Sequence, residues 1–162
     1  MATTESIGAA GWNYGDGRVV AITKSVTASD IKLQTEEIET YKHFSFSRML
    51  LNLVLWATSQ DSRQGGYSER SNSCFFFTTE NQDFDQRIRS LLYAGGFFNQ
   101  VITINTPWYK IKQSDFTYGL ISQGIESANV ILLFPTYNAK GGVQMDDWVQ
   151  QKLLQLIHRG TG

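Results

Sequence analysis

At 162 residues the chain is of single-domain size, long enough to bury about 70% of its unfolded surface without disulfide or metal staples. Hydrophobic residues make up 41% and charged residues 18%, and the formal net charge of −1 excludes a strongly basic binder of nucleic acid or of an anionic membrane, leaving only a local patch for such a partner. Cys74 is the one cysteine, which excludes an internal disulfide, and its apolar neighbours read as the setting of a buried small hydrophobe. Met1 to Gly8 carries neither a cationic start nor an apolar core, so no secretory signal is read there and a reducing, cytoplasmic setting is expected.

In chain order, residues 1–17 read as a loosely ordered arm. Gly11-Trp12-Asn13-Tyr14-Gly15-Asp16-Gly17 mixes turn formers with two aromatics expected to plug a gap in the core. Arg18 to Ser25 is the first strand. Thr27 to Lys42 leans towards helix with Ser29 as cap, although Ile31, Leu33 and Thr35 also alternate as a strand does. A helix from Ser45 or Ser47 to about Gln60 is apolar nearly all round and therefore central. Phe44 to Ala57 is too short for a bilayer, which needs about 20 apolar residues, and Arg48 and Asn52 interrupt it. The Gly- and Ser-rich stretch 61–73 reads as a mobile loop.

From Cys74 onward, apolar runs alternate with helical patterns. Cys74–Thr79, Gln100–Thr106 and Val130–Phe134 are strands. A helix opening at Asp83 or Asp85 and closed by Gly95-Gly96 joins the first two, and one opening at Asp115 joins the last two. Trp108 to Lys112 is an amphipathic connector whose Trp108-Tyr109 pair either marks a partner hot spot or covers a sheet edge. Gln144 to His158 is the final helix. Repeated β-α-β units imply a mostly parallel sheet in one domain, a three-layer α/β/α sandwich of Rossmann-like topology.

Right-handed crossovers gather the loops after each strand at one edge, where ligands of open α/β folds bind. The residues brought there are hydroxyls and amides for the most part. The ligand-binding candidates are Thr79, Asn81, Asn105, Thr106, Tyr137, Asn138 and Lys140. Such a rim hydrogen-bonds sugars, phosphates or peptide groups but holds no evident nucleophile and base. Acids stand near it: Asp146 and Asp147 at the start of the last helix, and Glu80 with Asp83 and Asp85 after the first core strand. Asp146, Asp147 and Glu80 are the metal candidates, for Mg²⁺ or Mn²⁺, against the plainer role of acids in a helix's first turn. Lys140-Gly141-Gly142 is a weak phosphate loop that the two Asp would oppose, and His43 and His158 have no ligand-spaced neighbours.

Phe75-Phe76-Phe77-Thr78-Thr79-Glu80, the helix from Gln86 to Gly96, the strand after it, and Lys140-Gly141-Gly142-Val143-Gln144-Met145-Asp146-Asp147-Trp148-Val149 together resemble the middle of an NYN domain. The resemblance implies a PIN-like nuclease fold that cuts RNA with clustered acids and Mg²⁺ or Mn²⁺. Residue by residue, Lys140, Gly141 and Asp146 or Asp147 match the family's lysine-glycine-acid element. Arg18–Ser25 lacks the Asp-x-x-Asn of the family's first strand, and no final acidic strand is read. Two functions are therefore expected. The first is a non-catalytic α/β module that binds a protein partner or small ligand at the C-terminal edge of its sheet. The alternative is a metal-dependent RNA nuclease or phosphoesterase. A membrane is not an expected partner, and the aromatic content is compatible with a homo-oligomer.

Overall fold

The computed structural model describes residues 8–22, 27–31, 41–58, 72–134 and 143–162. Its centre is β3 (Ser73–Phe77), five residues all buried. β4 (Gln100–Ile104) and β5 (Val130–Leu132) flank it in the order β4-β3-β5, both parallel to it. Cys74 lies opposite Val101 on one side and Val130 on the other. A parallel strand paired on both sides and covered on both faces has no wet position for a side chain, which explains the unbroken apolar run.

Alternation along β3 divides the core in two. Cys74 and Phe76 pack with Leu50 and Val54 of α1 (Tyr41–Thr58) and with Phe84, Ile88 and Leu91 of α2 (Gln82–Ala94). Phe75 and Phe77 point the other way, towards Phe116, Leu120, Val149, Leu153 and Leu156. The last three belong to α4 (Asp147–His158). Phe116 and Leu120 lie on a π-helical turn, Phe116–Leu120, that continues the short α3 (Gln113–Asp115). The described fold is thus mixed α/β, with four α-helices and a three-stranded parallel sheet.

Several expectations change. β1 (Ala9–Tyr14) and β2 (Gly17–Ile22) form an antiparallel hairpin, Tyr14 opposite Gly17, so a two-residue Gly15-Asp16 loop stands where a loose arm was expected. Trp12 and Tyr14 are 47% and 41% exposed and do not plug the core. The first strand therefore lies outside the parallel sheet. Thr27, not Ser29, caps the turn Ala28–Asp30, its amide donating to Asp30 Oδ2 at 2.8 Å. α1 is less central than its composition implies, with Trp56 39% exposed. In the expected loop 61–73, residues 61–71 lie outside the described residues, while Ser73 already begins β3. No described helix is long and apolar enough to cross a membrane.

Candidate functional site

The loop from β3 to α2 is built by short polar side chains. Asp85, in the first turn of α2, accepts hydrogen bonds from the Thr78 hydroxyl, the Thr79 amide (3.0 Å) and the Thr79 hydroxyl (2.7 Å). Asn81 caps the same helix, its Oδ1 accepting from the Phe84 amide at 3.1 Å. This pins the strand end to the helix start, and satisfies amides that the helix leaves without partners. It also turns Thr79 inward, leaving it 1% exposed and bonded within the loop. Asp83, further along the first turn, pairs with Arg87 at 3.2 Å.

Between these residues stands Glu80 at φ 64, the one described non-glycine residue with positive φ. Left-handed backbone disfavours a side chain with a Cβ. The conformation aims the Glu80 carboxylate at the turn Trp108–Lys110 that follows β4: Oε1 accepts from Lys110 Nζ at 2.6 Å and Oε2 from the Tyr109 hydroxyl at 3.0 Å. Hydrogen bonds to Glu80 and then to Tyr109 raise the Lys110 ammonium above its ordinary pKa. Beside it, Trp108 Nε1 donates to the Phe134 carbonyl at 3.0 Å. The connector aromatics therefore brace the ends of three strands against one another.

Past the end of β4 lies a groove of about 540 Å³. Its floor is Ile104, Ile111 and Leu120, and its walls carry Asn105, Thr106, Ser114, Asp115, Tyr118 and Gln123. Tyr118 stands on the π-helical turn with 82% of its surface exposed, and a Cβ placed at its neighbour Gly119 meets no atom within 4 Å. Wide turns of this kind recur at functional sites because they push a segment out of helical register. The arrangement joins an apolar floor to several neutral hydrogen-bonding groups and the Asp115 carboxylate, a set able to contact a small ligand or a side chain.

Of the expected ligand contacts, Asn105 and Thr106 line this groove. Thr79 and Asn81 instead hold the β3–α2 loop together, and Tyr137, Asn138 and Lys140 lie outside the described residues. Of the expected metal ligands, Glu80 is engaged by Lys110 and Tyr109. Asp146 caps α4, accepting from the Trp148 amide at 3.1 Å and the Val149 amide at 3.4 Å, with Lys112 Nζ 3.8 Å away. Asp147 is an exposed first-turn acid. Among the described residues no three His, Cys, Asp or Glu side chains stand close enough to share a cation. Sequence reasoning missed Ser114, Tyr118 and Gln123. Their signal was a helical pattern with Gly119 inside it, a mark of irregular winding. Comparison with protein-family models, with curated proteins and with solved structures finds no match to this chain.

Proposed function

We propose that the chain is a non-catalytic α/β binding module whose ligand, a protein segment or small polar molecule, sits at the C-terminal edge of the parallel sheet. The observation that carries this reading is the groove past β4, with its apolar floor and polar walls that are neutral apart from Asp115. The wider frame is a three-layer α/β/α sandwich of Rossmann-like topology, supported by the order β4-β3-β5 and by a core cluster on each face of β3. In such folds ligands gather outside the carboxyl ends of the strands.

The acids of this edge have structural partners. Glu80 ties two strand ends, Asp85 closes a loop, Asp83 pairs along its helix and Asp146 caps α4. That engagement speaks against a shared Mg²⁺ or Mn²⁺, so no RNA-cutting step is derived from them. Amide-resolved NMR tests the reading with a panel of simple sugars, phosphate esters and capped dipeptides. The expected result is shifts grouped on Asn105, Thr106, Ser114 and Gln123 that disappear in Gly119→Phe, whose Cβ enters open space at the groove wall. Shifts grouped elsewhere would sink the groove as the site. Selective broadening of Glu80 and Asp146 by Mn²⁺ would reinstate the metal-dependent alternative.

A further inference from the structure

The groove runs beside an open strand edge. β4 is the outer strand of its sheet, and no described strand pairs with its far side. The opposite edge is different, because Gly162 continues the ladder there: the Ile131 amide donates to the Gly162 carbonyl at 2.8 Å and the Gly162 amide to the Asn129 carbonyl at 2.9 Å.

Two hydrogen bonds fix which way the β4 groups face. The Ile104 carbonyl accepts from Thr78 at 2.9 Å, so Ile104 points inward to β3. The Val101 amide donates outward to the Tyr93 hydroxyl at 3.2 Å. In a parallel strand the N–H and C=O of one residue share a side and consecutive residues alternate. Thr103 therefore presents both its amide and its carbonyl to the open edge, with the Asn105 amide next in line. Proteins blunt such edges with lysine, proline or bulges, and Gln100-Val101-Ile102-Thr103-Ile104 carries no charge and no proline.

We propose that this edge takes up an extended segment of a partner polypeptide as an added strand, one of whose side chains enters the groove. The proposal rests on the groove being the binding site and names the ligand class. A residue opposite Ile104 on the added strand points to the same face as Ile104, which is the floor of the groove. Asp115 lies exposed in the wall and forms no ion pair among the described residues. A lysine or arginine at that position would lay its aliphatic stem on Ile104 and Leu120 and bring its charge to Asp115. Main-chain pairing supplies the affinity and the pocket the selectivity, as in strand addition generally.

The test uses the whole chain and a capped hexapeptide, Thr-Val-Lys-Val-Thr-Val, with a copy N-methylated at one edge-facing amide, which cannot make that one hydrogen bond. The expected result is about tenfold slower amide exchange at Thr103 and Asn105 on binding, with shifts at Gly119 and Gln123. N-methylation should weaken binding about tenfold, as the loss of one main-chain hydrogen bond implies. Thr103→Pro, which removes one outward donor and sets a proline ring on the edge, should weaken binding at least as much. Shifts in the groove with unprotected edge amides would overturn strand addition and leave the groove reading intact. No effect at either place would overturn both. A chain already dimeric, with those amides protected before peptide is added, would also overturn the proposal, since a second copy would hold the edge.

Discussion

Glu80 shows how one side chain sets the end of the sheet. Its left-handed backbone is disfavoured by about 1–2 kcal/mol for any residue with a Cβ, and its carboxylate bonds to Tyr109 and Lys110 hold it there. The bond to Glu80 raises the Lys110 ammonium above its ordinary pKa, which has a definite sign for stability. A raised lysine contributes fully below its unfolded pKa of about 10.4 and loses the contribution as pH climbs through the higher folded value. Thermal melts of wild type and Glu80→Gln should therefore differ by a constant margin from neutral pH up to about 10 and converge above it. A margin that widens at alkaline pH would contradict this account. At this scale the sequence was misleading, because Glu80 is adjacent to Asp83 and Asp85 and all three read as one acidic group. Their partners are Lys110 and Tyr109, Arg87, and the two threonines, and only contact reveals that.

Among the elements, α2 and α4 were the most legible. Phe84, Ile88, Leu91 and Leu92 recur at helical spacing, and Gly96 at φ 71 stops the helix as the Gly95-Gly96 pair implied. The hairpin was not legible, since all six β1 residues are exposed and carry no core-facing alternation. What holds it is close contact with the ends of α1 and α4. The Asp16 amide donates to the His158 carbonyl at 3.0 Å, and Arg18 Nη1 donates to the Trp56 carbonyl at 3.1 Å. Gly17 is essential to that approach: a Cβ there would lie 2.0 Å from the Ile157 carbonyl oxygen and 2.5 Å from that of Thr161. Gly17→Ala is expected to lower stability by about 1–3 kcal/mol, the range of overpacked sites, or to release the hairpin from α4. Urea denaturation followed by tryptophan fluorescence measures both effects, and a variant as stable as wild type would show that the contact does not hold.

At the scale of the molecule, β3 separates two apolar clusters and belongs to both. Phe76 is fully buried in one and Phe75 nearly so in the other. Phe76→Ala should destabilise the fold by about 3–5 kcal/mol through lost contact and a residual cavity. Burial also pushes the Cys74 thiol far above its ordinary pKa, which leaves it without the thiolate that reacts. Its alkylation in native buffer should therefore follow global unfolding and speed up in Phe76→Ala. Rapid labelling of the folded chain would place Cys74 outside the core. The sequence by itself determined the mixed α/β character, the central apolar strand, the two best-formed helices and the absence of an internal disulfide, because burial on both faces and helical periodicity are written locally. Only the tertiary structure decided that the first strand joins a separate hairpin, that Thr79 and Asn81 serve the loop, and that a groove opens between Asn105 and Gln123. Those facts depend on which segments meet, and a residue's neighbours in space do not follow from its neighbours along the chain.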